Sequence, residues 1–241
     1  MVRLPPDAVS AELDEDWRVI DAVLWDFRGT LFGDEDDTSW IRNSAESIGR
    51  ELSDDEIAAI LARGAVVAED PEIEAALDRC DTSLEVHREA NLHWLRAVGL
   101  DDELAIAIWA RDGHPDASFA FPDAAPVMQT LHENGVRMAV VSDIHYDIRT
   151  HFRNHDLDRY VDAYVLSFEH GCQKPDAEMF TRALEALDVS AERALMVGDT
   201  PGHDGGAANV GIPTLILPGP FRAGRRGSRG LDAVLRLAGI G

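Results

Sequence analysis

The chain has 241 residues, 45% of them hydrophobic, which is enough for one sizeable core with an insertion or for two domains. Its 22 basic against 45 acidic side chains give a formal charge of −23, a surface that repels phosphate backbones and argues against nucleic-acid binding. Cys80 and Cys172 lack metal-like spacing and read as free thiols in a reducing compartment. The acidic, proline-interrupted start has no apolar stretch of signal-peptide length, and no run approaches a membrane span. A cytoplasmic protein with no membrane partner is expected, either monomer or homodimer.

Residues 1–17 read as a loosely ordered lead-in. The stretch Ala22-Val23-Leu24-Trp25 is a continuous apolar run that suits a buried inner strand, and it delivers Asp26 into a turn of Phe27, Arg28, Gly29 and Thr30. From Gly33 to about Ser118 no strand is expected, only helices: 38–52, 53–62, 71–79, 84–98 and 101–111. Ser53 with Glu56 is a capping-box signature, Pro71 suits a first helical turn, and Gly99 is a good stop. Residues 34–118 are expected to form an all-helical cap domain inserted into a core made of 1–33 and 119–241.

Alternation then resumes. A helix over 122–134 leads to a strand over 137–141 that ends in Ser142-Asp143. A helix or loop runs through His151 and Asn154, followed by a strand over 163–166 and a helix over 176–187. A strand over 193–197 ends in Gly198-Asp199. A glycine-rich helix start at 204–210 precedes a strand over 214–217, and a short helix covers 231–237. Such alternation implies right-handed crossovers and a doubly wound, five-stranded parallel sheet of the α/β class. Residues 218–229, rich in Gly, Pro and Arg, read as a mobile loop carrying the basic cluster Arg222, Arg225, Arg226 and Arg229.

Polar residues mark the strand ends: Asp26, then Ser142 and Asp143, then Lys174 in Gln173-Lys174-Pro175-Asp176, then Asp199. Parallel strands gather these ends at one edge of the sheet, where open α/β sheets hold ligands. Two carboxylates there call for a cation between them, and hard oxygen ligands suit Mg²⁺. A hydroxyl at Ser142 and the Lys174 ammonium suit phosphate oxygens. An ionised Asp beside them can act as a nucleophile.

Four segments in order, Asp26-Phe27-Arg28-Gly29-Thr30-Leu31, Val140-Val141-Ser142-Asp143, Lys174-Pro175-Asp176 and Val197-Gly198-Asp199-Thr200 continuing to Asp204, resemble the motifs of the haloacid dehalogenase superfamily. The resemblance covers the core and implies a helical cap, a small anionic substrate and Mg²⁺-dependent hydrolysis of a phosphate ester. Asp26 would become an aspartyl-phosphate. Thr30 and Ser142 would position phosphate with Gly29 and Asp143, and Lys174 would neutralise it. Asp26, Asp199 and the backbone carbonyl of Arg28 would bind the metal, and Asp204 would support it through water or orient Lys174.

One position departs from that family. Its phosphatases carry a second Asp two residues after the nucleophile as acid and base, and Arg28, always protonated, stands there instead. Three explanations follow. His145, His203 or the substrate itself supplies the proton. Alternatively Arg28 binds an anion in a dehalogenase-type or other non-phosphate hydrolysis. Or the site is catalytically weak and the protein acts by binding. Trp40 and Arg42, close after the insertion begins, are candidate substrate contacts, with a core tryptophan and a surface arginine as the alternative.

Overall fold

A computed structural model describes residues 20–218 and 227–240. The lead-in 1–17 and Arg222, Arg225 and Arg226 of the basic cluster lie outside the described residues. Among those described, the central sheet has five parallel strands in the order β5-β4-β1-β6-β7. These are β1 (Ala22–Trp25), β4 (Arg137–Ser142), β5 (Ala163–Leu166), β6 (Ala194–Gly198) and β7 (Thr214–Ile216). β1 sits at the centre, with Trp25 opposite Val140 on one side and Val197 on the other. The register leaves Asp26, Ser142 and Asp199 at the same carboxyl edge.

Both faces of the sheet are buried, and the period-2 alternation of strand side chains decides which residue faces where. Val23 and Trp25, Met138 and Val140, and Leu195 and Val197 share one apolar cluster. That cluster includes side chains from α6 (Ala124–Glu133), α7 (Arg149–Asn154) and α10 (Asp232–Leu237). Ala22 and Leu24, Ala139 and Val141, and Ala194 and Met196 join the other cluster, with α9 (Ala177–Leu187). Continuous apolar strands are therefore required, as the sequence has them.

Between β1 and the rest of the core lie α1 (Asp37–Ser47), α2 (Asp54–Ala68), α3 (Pro71–Asp78), α4 (Leu84–Ala97) and α5 (Asp102–Ala110). Side chains of α1, α2, α4 and α5 build a third apolar cluster that includes Ile41, Ile57, Leu92, Leu95 and Ile108. The Ser53–Glu56 capping box is present: Glu56 N–H donates to Ser53 Oγ at 3.3 Å, and Ser53 N–H donates to Glu56 Oε2 at 2.8 Å. Pro71 opens α3 as expected.

One feature differs from the sequence reading. Strands do flank the helical insertion: β2 (Phe32–Asp34) pairs antiparallel with β3 (Ser118–Ala120). Three-residue strands carry too little alternation to be recognised. The segment 204–210, expected as a glycine-rich helix start, is a 3-10 helix. α8 (Ser167–His170) is a single further turn after β5. No described helix is long and apolar enough to cross a membrane.

Candidate active site

The β1–turn junction places Asp26 at the sheet edge, 7% exposed. Its N–H donates to the Val197 carbonyl at 2.9 Å, so the main chain there is still tied to β6. Asp26 Oδ1 accepts from Lys174 Nζ at 2.7 Å, and Oδ2 accepts from Thr30 Oγ1 at 3.2 Å. Lys174 Nζ also donates to Asp204 Oδ1 at 2.6 Å. Asp204 Oδ2 accepts from the backbone N–H groups of Asp199 (3.0 Å) and Thr200 (2.9 Å). Asp204 thus fixes both the lysine and the turn that carries Asp199.

Two glycines are demanded by this packing. Gly29 has φ +75°, and a Cβ on it would lie 2.1 Å from Asp199 Oδ2. A Cβ on Gly198 would lie 2.1 Å from Asp204 Cγ. Both carboxylates therefore occupy space that any other residue would fill.

Burial shapes the charges. It pushes the Asp26 carboxyl up, against the pull of Lys174. It pushes Asp199 up as well, helped by Asp204. Burial would lower Lys174, but Asp26 and Asp204 outweigh it and hold the ammonium above its ordinary range. Carboxylate oxygens of Asp26, Asp199 and Asp204 lie within 4.8 Å of one another. Three acids against one ammonium leave negative charge in excess, and every donor is a hard oxygen. The set fits a hard divalent cation.

Several expected site residues are engaged elsewhere. The Gly29 N–H donates to the Phe32 carbonyl at 2.7 Å, inside the turn. Both Asp143 carboxylate oxygens are engaged: Oδ1 accepts from Lys174 N–H at 2.7 Å and Oδ2 pairs with His203 Nδ1 at 2.8 Å. It holds the lysine loop. His203 Nε2 meets Asp78 Oδ1 at 3.3 Å, and the bond to Asp143 raises the imidazole to about 9. A histidine so held favours the imidazolium form.

Trp40 and Arg42 stay within the helical unit. The Trp40 indole N–H donates to the Ile108 carbonyl at 3.1 Å. Arg42 donates to Asp54 Oδ1 at 2.7 Å and to the Leu52 carbonyl at 3.4 Å. Neither contact reaches Asp26, Lys174 or Asp199. Trp40 is partly buried against the apolar cluster of the helical unit, and the Arg42 side chain is partly exposed. Ser142 is buried at the end of β4.

Arg28 turns away from the nucleophile position. Its guanidinium pairs with Asp112 Oδ1 and with Asp34 Oδ2 (3.2 Å), and donates to Tyr146 Oη at 3.1 Å. Burial raises Asp34; at Asp112 the same burial is outweighed by Arg28, which holds the carboxyl below its usual range. Arg28 therefore links the Asp26 turn to β2 and to the 3-10 turn after α5.

His145 lies beside this link. Its ring stacks on His87 with centroids 3.5 Å apart and planes 7° apart. His145 Nδ1 is 3.5 Å from Asp112 Oδ2 and 3.7 Å from Asp81 Oδ1. Trp109 donates its indole N–H to His87 Nδ1 at 3.0 Å, which assigns the His87 proton to Nε2. Nε2 then faces Asp81 and Asp112 as a donor. With its lone pair absent and the rings stacked, His87 cannot join His145 and Asp112 around a metal ion, although the three lie within 4.8 Å.

Asp34, Asp112, Tyr146, Asp78 and His87 escaped sequence reading. Arg28 and Asp112 are 84 positions apart, and no local pattern announces such a pairing.

Residues 20–211 match the family model described as haloacid dehalogenase-like hydrolase. The chain belongs to this family. A ribulose-1,5-bisphosphate 5-phosphatase from Halopiger xanaduensis is 37% identical over 98 residues, covering 40% of this chain and 41% of that protein. A glyceraldehyde 3-phosphate phosphatase from Methanopyrus kandleri is 30% identical over 129 residues, 51% of this chain and 55% of that one. The chain thus spans about half the length of these curated relatives. Among solved structures, a HAD phosphatase from Thermococcus onnurineus aligns with TM-score 0.59 and 20% identity, over 91% of this chain and 98% of the other. A dehalogenase with an intermediate complex aligns with TM-score 0.64 and 19% identity, over 91% and 97%. Identities this low speak to the shared fold.

Proposed function

We propose that the protein is a Mg²⁺-dependent phosphatase that hydrolyses a small phosphate ester through an aspartyl-phosphate on Asp26. The observation that carries this reading is the Asp26 carboxylate, held by Lys174 Nζ at 2.7 Å and sharing a 4.8 Å neighbourhood with Asp199 and Asp204. Membership of a hydrolase family and the phosphatase names of the relatives support the same class.

Asp26 would use one carboxylate oxygen to attack phosphorus, displacing the alcohol. Thr30 and Lys174 keep that carboxylate aimed. As the phosphoryl group arrives, Lys174 would balance its oxygens, and Ser142 would add a hydroxyl contact. Asp26, Asp199 and the Arg28 carbonyl would hold Mg²⁺, with Asp204 supporting it. The ion supplies charge neutralisation for carboxylate and phosphate together. Water would then hydrolyse the acyl phosphate and regenerate Asp26. Residues 34–118 would act as the cap over a core of 1–33 and 119–241, closing on the β2–β3 ribbon and excluding water.

Arg28 cannot move a proton, so proton transfer is expected to be slow or to fall to another group. Retained carboxylates favour phosphate over halide, because departure of a halide needs neither metal nor protonation. The test is a panel of small phosphate esters and 2-haloacids, each assayed with Mg²⁺ and with chelator. Phosphate release that chelator abolishes supports the reading. Halide release indifferent to chelator replaces it with a dehalogenase, and saturable binding without turnover replaces it with a binding protein.

A further inference from the structure

The helical unit is not solidly packed. A cavity of about 480 Å³ lies among α1, α2, α4 and α5. Its volume falls within the range of small-molecule sites. It contains none of Asp26, Lys174, Asp199 or Asp204.

Its walls have a definite chemistry. The indoles of Trp40 and Trp94 line it, and each is pinned by its N–H, Trp40 to the Ile108 carbonyl at 3.1 Å and Trp94 to the Gly64 carbonyl at 3.3 Å. α2 contributes Gly64, Ala65 and Ala68. At Gly64 the helices already touch, since a Cβ there would lie 3.4 Å from Trp94 Cζ2. Beyond it the small side chains of Ala65 and Ala68 leave room that a Leu or Phe would fill. An occupant must therefore be apolar along most of its surface.

One end is different. Asp34, Glu35 and Asp37 line it. Glu35 is balanced by Arg111 Nε at 2.6 Å. Asp34 shares Arg28 with Asp112, and its Oδ1 is buried without a hydrogen-bond partner. Asp37 makes no ion pair among the described residues. Asp34, Glu35 and Asp37 thus face two guanidinium groups, one of them shared with Asp112, and Asp37 is left without a counter-ion among the described residues, beside aromatic faces. Positive charge is what that end attracts, and indole faces add to it.

We propose that this cavity is a binding site for a small organic ammonium ion, a protonated primary amine on an aromatic or branched aliphatic body. The apolar body lies between Trp40 and Trp94, and the ammonium lies at the Asp34–Asp37 end. Through Asp34 the occupant reaches Arg28, and so the turn that follows Asp26. The proposal is independent of the reaction assigned to Asp26, because binding alone tests it.

The probe is phenethylammonium, titrated into the full chain labelled with nitrogen-15 on tryptophan, with the indole N–H resonances as readout. Phenethyl alcohol and phenylacetate are the neutral and anionic controls. The expected result is saturable movement of the Trp40 and Trp94 resonances, with the ammonium binding at least about tenfold tighter than the alcohol and the carboxylate not binding. Asp37→Asn should bring the ammonium towards the alcohol, and Ala68→Phe should remove both. Should Ala68→Phe fold poorly, Ala65→Met blocks the same space from the exposed side. No saturable movement of the two indoles overturns the proposal. So does equal affinity for the ammonium and the alcohol, or unchanged binding in a folded blocking variant.

Discussion

Replacing Arg28 by Asp would place the family's usual carboxylate two residues after Asp26, and it invites the expectation of faster phosphatase turnover. The structure predicts damage instead. Arg28 is the shared counter-ion of Asp34 and Asp112, whose side chains are only 19% and 11% exposed. Arg28→Asp removes that cation and adds a third acid. Breaking a buried pair from one side costs about 3–5 kcal/mol. The Arg28 side chain is 32% exposed, so solvent screens part of this and about 2–3 kcal/mol is the expected loss. For a chain of this size that lowers Tm by about 4–12 °C. Thermal melts at pH 7 read it directly. Because Arg28 holds the Asp112 carboxyl down, its stabilisation exists above the ordinary Asp range and disappears as pH falls through the lowered value. The gap between wild type and variant should therefore narrow in acid. Adding Asp112→Asn to Arg28→Asp should recover part of the loss at pH 7. A single variant melting within about 2 °C of wild type at pH 7 would refute the counter-ion argument.

Further outcomes follow from the same geometry. Gly29→Ala needs a Cβ where Asp199 Oδ2 now lies, so Asp199 must move; Mg²⁺ is expected to raise the Tm of the wild type and to leave that of this variant unchanged. Thr30→Val removes the O–H bonded to Asp26 Oδ2, so the carboxyl, already raised by burial, should rise further, and the acidic limb of the pH–rate profile should shift to higher pH. Burial pushes His151 down to about 4, with Arg28 adding to it. The unfolded chain therefore takes up this proton first as pH falls below about 6.5, and stability declines from there towards about 4. Urea melts across that range should show a shallower decline in His151→Gln, and an unchanged slope would remove His151 from the account.

The sheet was legible because its inner strands carry continuous apolar runs that lead to Asp26, Ser142 and Asp199, a pattern that local sequence carries whole. The helices were legible from their ends: Ser53 with Glu56, Pro71 and Gly99 mark termini by backbone chemistry alone. What escaped depends on packing between distant segments. The Arg28–Asp112 pair, the His87–His145 stack and the His203–Asp143 pair join residues far apart in sequence, and nothing near any of them signals a partner. Asp143 shows the same limit from the other side. Its place beside Ser142 suggested a substrate contact, yet its carboxylate is taken up by Lys174 N–H and His203. Short β2 and β3 were missed because three residues do not display a period.

The most direct measurement is intact-mass and peptide analysis of the protein quenched in acid during turnover of a phosphate ester with Mg²⁺. The mass of one phosphoryl group on the peptide containing Asp26, absent in Asp26→Asn and absent with chelator, is the predicted result. Turnover that continues with Asp26 replaced, or a phosphoryl group carried by any other residue, contradicts it.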